Sequence, residues 1–117
     1  MVTRVDRDDF IALTGTSLST TIVDKLLEAA DRATNTEVER LGNPSISEST
    51  LYDASMLFAK AMITDLYRLN GTFDASTTDY SHKGNTESMI AGYRDEAKAI
   101  IKNEARITAV WLQKANR

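Results

Sequence analysis

The pattern with the clearest chemical meaning is a row of four basic residues near the end of the chain. Arg94, Lys98, Lys102 and Arg106, the basic row, follow one another at intervals of four, the spacing that places side chains together on a helix. Like charges so placed repel by about 0.2 to 0.5 kcal/mol per pair. Such a row suits an acidic protein surface or DNA phosphates. The alternative is a solvated face balanced by acidic residues elsewhere in the domain.

The single histidine, His82, lies in a polar stretch among serine, lysine and glycine. One imidazole is not enough to bind zinc, because zinc takes several nitrogen or sulfur ligands and the chain has no cysteine. A nucleophile would need a base held by a third group, and no glycine-rich phosphate loop follows a strand. We therefore expect no enzyme activity, no cofactor and no metal site.

Three aromatic residues are further candidates for contacts. Trp111 is the only tryptophan and lies between Val110 and Leu112. Core packing is the usual role of such a residue, and an anchor presented to a partner is the alternative. Phe73 and Tyr80 lie in the polar stretch 72–86, where we expect them to anchor a loop or form a short hairpin. Together with His82 they are the candidate loop contacts.

Composition indicates one domain with an uneven distribution of charge. The chain has 117 residues and a net charge of −3, too mild to indicate a dedicated nucleic-acid binder. Residues 1–93 hold 8 basic and 14 acidic side chains, whereas residues 94–117 hold 6 basic and 3 acidic ones. No apolar run reaches the roughly 18 residues that a membrane span needs. We expect a protein that is made inside a cell and does not enter a membrane.

The stretch 51–69 predicts the central helix of an all-α domain. Asp53, Lys60, Thr64 and Arg68 form one narrow polar strip, so neighbouring helices should cover the rest of its circumference. Two rows of apolar residues have helical spacing: Leu51, Ala54, Phe58, Met62, Leu66 and Leu69, and Tyr52, Met56, Ala59, Ile63 and Tyr67. We predict a single domain over 1–117, a small bundle of about four helices around this central helix.

Two helices should precede the central one. A short helix over residues 6–13 carries Phe10 and Leu13 on one face and ends at Gly15. A second helix over residues 19–41 contains the weak helix formers Asn35 and Thr36, where a bend or break is an alternative. Its predicted buried face consists of Ile22, Val23, Leu26, Leu27, Ala30, Ala33, Val38 and Leu41.

Capping patterns precede the central helix, and a polar loop should follow it. Ser47 or Ser49 can cap the central helix, and Ser45 with Glu48 is also a capping-box pattern. The polar loop over 72–86 leads to a last helix that begins near Thr86. The apolar side of that helix is predicted to be Met89, Ile90, Tyr93, Ala97, Ile100 and Ile101. The segment 107–117 contains β-prone residues, so it either continues the helix or is extended.

This order of parts resembles the head-tail connector family of tailed phages and related viruses, also called adaptor or head-completion proteins. The resemblance covers most of residues 6–70 in pattern and size. It depends on three groups of residues: Asp9, Phe10, Leu13, Thr14 and Gly15; Ile22, Leu26, Leu27, Ala30, Ala33, Leu41 and Gly42; and Ala54, Leu57, Ala59, Ile63, Leu66 and Tyr67.

The resemblance implies a structural protein of the virion. Family members are small helical subunits that form a ring, commonly a dodecamer, between the portal protein and the tail or stopper protein. DNA passes through the ring without sequence-specific binding. The basic row and Trp111 would then dock on the portal, and the loop over 72–86 would face the lumen or the tail. The alternative is a small cellular helical adaptor or regulator that binds nucleic acid through its basic C-terminal helix.

Overall fold

The computed structural model describes residues 2–69 and 80–115, with side chains described over 2–67 and 87–107. Within these ranges the chain forms four helices and no strand. They are α1 (Arg7–Thr14), α2 (Thr20–Arg40), α3 (Glu48–Leu69) and α4 (Tyr80–Ala115). The predicted all-α class is confirmed. The longest helix, α4, has 36 residues and therefore spans about 54 Å.

The first two helices begin and end at local sequence signals. The Asp6 carboxylate accepts a hydrogen bond from the Asp9 amide (3.2 Å) at the start of α1, and the Ser19 hydroxyl accepts one from the Ile22 amide (3.3 Å) at the start of α2. Gly15 ends α1 with φ 64°, a left-handed conformation that glycine adopts without strain. The break that Asn35 and Thr36 left open does not occur, because α2 runs through both residues.

The cap at the start of α3 is Ser47, and a residue from α4 completes it. The Ser47 hydroxyl accepts a hydrogen bond from the Thr50 amide (3.4 Å). The Ser47 amide and hydroxyl donate to the two carboxylate oxygens of Glu104, at 2.9 and 2.8 Å. In an ordinary capping box a glutamate three residues after the cap receives the cap amide. Here Thr50 stands at that position, and Glu104 supplies the carboxylate from another helix.

The hydrophobic core lies on both sides of α3, as predicted for the central helix. α3 packs closely against α2 and α4, whereas α2 and α4 touch each other much less. α1 adds Phe10, which is fully buried. The buried apolar residues of α3 are Leu51, Ala54, Met56, Phe58, Ala59, Ala61 and Ile63. Because α3 faces two neighbours, its burial extends around most of its circumference.

A pair of buried hydroxyls joins α2 to α3 inside this core. Thr34 and Ser55 have no exposed surface, and their hydroxyl oxygens lie 2.9 Å apart. The Thr34 hydroxyl donates to the Ala30 carbonyl (3.0 Å). Its proton is therefore used, and Ser55 must be the donor in the bond between the two side chains. The pair is satisfied, as buried polar groups must be to avoid a large cost.

Three predicted core residues of the flanking helices are exposed. Leu13 is 67% exposed, Met89 49% and Ile22 43%. Ile22 directly precedes the buried Val23, and neighbouring residues in a helix point about 100° apart. Met89 precedes the buried Ile90 in the same way. α1 is only eight residues long, and Phe10 is its one buried residue.

The predicted polar strip of α3 is wrong at one position. Thr64 is buried, and its hydroxyl donates to the Lys60 carbonyl (2.8 Å). That bond within the helix satisfies the hydroxyl without water. Asp53 is exposed, as a polar strip requires.

The last helix begins earlier than the predicted one. α4 begins at Tyr80, so residues 80–86 are helical and the predicted loop over 72–86 is wrong there. Residues 70–79 lie outside the described part. α3 and α4 run antiparallel, since Ser47 contacts Glu104 and Asp65 lines a depression with Glu87. α4 must therefore start several residues before Glu87 to pair with the end of α3. The extended alternative for 107–117 is wrong through Ala115, where α4 ends.

Candidate protein-binding surface

All four members of the basic row are exposed on α4. They do not form a straight line along the helix, however. Four residues turn a helix by about 400°, so each step in the row moves about 40° around the axis. Arg94 and Arg106 therefore point about 120° apart, and the two halves of the row have different surroundings.

The first half of the row, Arg94 and Lys98, lies against the rest of the bundle. Arg94 lines an open depression of about 200 Å³ together with Asp65 and Glu87. The charge of Lys98 acts on Glu37 of α2 and helps to lower the pKa of that carboxyl. These contacts match the interpretation of the row as a surface balanced by acidic residues of the same domain.

Glu37 is 5% exposed, which makes it the most buried carboxylate among the described residues. The guanidinium of Arg40 donates to both of its oxygens, with one bond of 3.2 Å from Nε. These bonds are the main reason that the pKa of Glu37 is lowered, burial opposes them, and the charges of Arg40 and Lys98 add to the lowering. Glu37 is therefore an anion, and it lies near the point where α4 crosses α2.

The second half of the row, Lys102 and Arg106, has no acidic residues that balance its charge among the described residues. Among the residues that the structure describes, neither side chain forms an ion pair or a hydrogen bond. Glu104 lies between them in sequence, but its carboxylate is held by Ser47. The distal end of α4 therefore presents two positive charges to solvent.

Sequence reasoning missed two acidic residues that lie near the row in the structure, Glu104 and Glu37. Glu104 is the only acidic residue after Glu96, and an isolated acid in a basic segment is a usable signal of a specific contact. Glu37 gave no such signal, since its arginine partner at i+3 resembles an ordinary exposed helix pair.

The remaining candidate residues are only partly located. Tyr80 and His82 are in the first turn of α4, so the hairpin is wrong for Tyr80, and Phe73 lies outside the described residues. Trp111 lies within α4. The side chains of Tyr80, His82 and Trp111 also lie outside the described residues. Along the helix axis, His82 is about 18 Å from Arg94, so these loop candidates and the basic row are separate groups.

A second depression, of about 270 Å³, lies between α3 and α4. We call it the groove, and it is lined by Asp53, Met56, Leu57, Lys60, Glu96 and Ile100. Its volume falls just below the range of ordinary small-molecule sites, and it mixes charged and apolar side chains. Within the described ranges no three acidic or histidine side chains gather as metal ligands would. In the same ranges no helix is long and apolar enough to cross a membrane.

Comparison of the chain with protein-family models, curated proteins and solved structures finds no match. The functional assignment therefore depends on the fold, on the charges of α4 and on the pattern in residues 6–70.

Proposed function

We propose that the chain is a head-tail connector subunit, a structural protein of the virion. In this role copies of the chain form a ring between the portal protein and the tail or stopper protein, at the head-tail junction. DNA passes through the ring, and the subunit performs no reaction. Two features support the proposal: the pattern resemblance in residues 6–70, and a compact helical bundle with one long helix that carries an exposed basic end.

The observation that carries the proposed binding role is the pair of uncompensated charges at Lys102 and Arg106. Both are exposed on α4 and lack an acidic partner among the described residues, while residues 1–93 are rich in acid. Charges of this kind contribute little to folding. They attract and orient a partner of opposite charge, chiefly through the rate of association and its specificity. We assign them to docking on an acidic surface of the portal protein.

The acidic body of the subunit suits a DNA channel. A surface that neutralised many phosphates would bind the duplex tightly and hold it back. The excess of acidic residues in 1–93 disfavours such retention. We therefore assign the acidic body of the subunit to the lumen and the basic end of α4 to the protein contact.

The test is the charge reversal K102E/R106E in the full chain, with K25E/R32E as the matched control. Lys25 and Arg32 are also exposed, and they lie on α2, so both variants change the net charge equally. We expect K102E/R106E to reduce copurification with the portal protein and the yield of tailed particles, while K25E/R32E retains both. Equal attachment of the two variants would refute the assignment.

A nucleic-acid-binding regulator is the second candidate, and the exposure of the whole basic row favours it. Binding to a short DNA duplex would weaken with salt with a log-log slope between about −2 and −4, for two to four phosphate contacts. The connector proposal expects no binding at physiological salt. A measured slope in that range, lost in K102E/R106E, would favour the regulator.

A further inference from the structure

Residues 2–14, which we call the strap, lie against α2 at the edge of the bundle. The strap consists of an irregular segment followed by the short helix α1. Among the described helices, the backbone of α1 comes close to α2 but to neither α3 nor α4. Only in the loop after the strap does a described hydrogen bond reach α3, between the hydroxyls of Thr16 and Tyr67. The strap is therefore attached to the body, helices α2 to α4, chiefly through one helix.

Two arginines make the polar contacts between the strap and α2. The Arg4 amide donates to Asp31 Oδ2 at 3.1 Å, and the Arg4 guanidinium donates to Asn35 Oδ1 at 2.8 Å. The Arg7 guanidinium donates to Asp24 Oδ2 at 3.2 Å. Asp24, Asp31 and Asn35 follow one another at intervals of seven and four, so they share one side of α2. The strap thus runs antiparallel to α2 and is held along that side by charged groups.

These polar contacts are incompletely satisfied. Arg7 Nε and Asp31 Oδ1 are the two side-chain atoms that are buried without a hydrogen-bond partner in the described part of the chain. Each has an opposite charge at ion-pair distance: Asp8 Oδ1 lies 3.6 Å from Arg7 Nε, and Arg4 Nη1 lies 3.7 Å from Asp31 Oδ1. Neither distance is that of a hydrogen bond. Water solvates both atoms once the strap leaves α2, which offsets part of the cost of opening.

Two apolar side chains hold the strap closed at rest. Val5 is 1% exposed and Phe10 is fully buried, so the closed position is the favoured one. An isolated helix of eight residues is not stable in water, and α1 should therefore melt whenever the strap opens. Gly15 follows α1 directly, and no other residue occupies the space around its Cα. Because glycine adopts many backbone conformations without strain, it provides a pivot at this point.

We propose that the strap opens and closes on α2 as one unit while the body stays folded, and that its arginine–aspartate pairs make closure dependent on ionic strength. The side chains of Arg7 and Asp24 are 41% and 48% exposed, so salt screens their attraction. Elements that rearrange when a protein meets its partners come from such locally unstable regions. Opening uncovers the side of α2 that carries Asp24 and Asp31. The proposal does not depend on the connector role.

The first test is hydrogen exchange of backbone amides in the full-length protein, measured by NMR. The amides of residues 10–14 should exchange at least about tenfold faster than the amide of Ala59 in the core of α3. They should share one opening equilibrium that changes little in low urea, because opening the strap exposes little surface. A gradient of protection along α1, as in a fraying helix end, would overturn the proposal. Exchange of α1 with the protection and urea dependence of Ala59 would also overturn it.

The second test changes the charge pairs, with Asp31→Asn as the variant and Asp95→Asn as the matched control. Asp95 is exposed on α4 and forms no described contact with the strap. Asp31→Asn should speed exchange in α1 by about two- to fivefold, the range for a partly exposed ion pair, and leave Ala59 unchanged. Raising NaCl from about 0.05 to about 0.5 M should act on the wild type in the same direction. Equal acceleration at α1 and Ala59, or none at α1, would overturn the proposal.

The third test removes the main apolar anchor of the strap with Phe10→Ala in the full-length chain. Exchange protection in α1 should be lost, because the side chain that holds the strap closed is gone. Ala59 should stay protected, and circular dichroism should show a cooperative melt of the remaining helices. Unfolding of the whole chain by Phe10→Ala would show that the strap is an inseparable part of the core and would overturn the proposal.

Discussion

The two parts of α4 differ sharply although they belong to one continuous helix. Residues 90–101 place Ile90, Ala97 and Ile101 in the core. From residue 102 to residue 107 the side chains are mostly exposed, and Glu104 makes the one described hydrogen-bonded contact with another helix. The fold therefore depends on the first part, while the second part is available for partners. Substitutions in the two parts should therefore have different effects on the free energy of unfolding.

The largest expected effect is on Ile101. Replacing this fully buried residue by alanine should lower the free energy of unfolding by about 2 to 5 kcal/mol, because a cavity remains in the core. The same change at Ile107, on the exposed part of α4, should cost no more than about 0.5 kcal/mol. Urea denaturation measures both. Similar losses at the two positions would contradict the division of α4.

A second prediction concerns the buried hydroxyl pair of Thr34 and Ser55, which lies between α2 and α3. Thr34→Val should cost about 1 to 3 kcal/mol, because the Ser55 hydroxyl loses its partner while still buried. The double variant T34V/S55A removes both hydroxyls and should cost less than the sum of the two single variants. Denaturation of the wild type, the two single variants and the double variant gives the coupling. Additive losses would show that the hydroxyl pair is not an energetic unit.

Glu104 is the point where the exposed part of α4 contributes to the fold. Glu104→Ala removes the carboxylate that caps α3, with an expected loss of about 0.5 to 2 kcal/mol, as for other helix caps. Asp95→Ala, at an exposed position of the same helix, should change stability by less than about 0.5 kcal/mol. Equal thermal unfolding curves for the two variants would mean that the cap does not stabilise the protein.

The smallest expected effect is on the dependence of stability on pH. The pKa of Glu37 is lowered by the hydrogen bonds from Arg40, so its carboxylate stabilises the fold above the ordinary glutamate pKa of about 4.3. That stabilisation is lost as the pH falls through the lowered pKa of the folded state. Between pH 5 and pH 2, Glu37→Gln should lose less stability than the wild type. Parallel curves of urea midpoint against pH would contradict this.

The existence of the helices and the starts of α1, α2 and α3 were predictable because they depend on local signals. Asp6, Ser19 and Ser47 act within four residues of themselves, and the apolar rows of α3 give its central place. Choices between adjacent apolar residues were not predictable, since both Ile22 and Val23 satisfy the same spacing. The start of α4 depends on the length of α3, and the cap at Ser47 depends on Glu104, 57 residues away. Both depend on contacts between helices, which local helix propensity cannot predict.

The candidate site was predictable as a set of residues but not as a surface. Spacing alone identified the basic row, and its members are exposed. Each step of the row turns about 40° around the helix axis. This turn brings Lys98 near Glu37 and leaves Lys102 and Arg106 free among the described residues. The different surroundings of the two halves could not be predicted without the position of α2. The groove between α3 and α4 likewise requires two helices that sequence reasoning treats separately.

The most direct measurement is the native mass of the purified chain, alone and with a portal protein from the genome that encodes it. The central claim is that this helical bundle acts by assembling with other proteins. It predicts a complex in which several copies of the chain occupy one portal ring, and loss of that complex in K102E/R106E. A chain that keeps a monomer mass with and without the portal would contradict the claim.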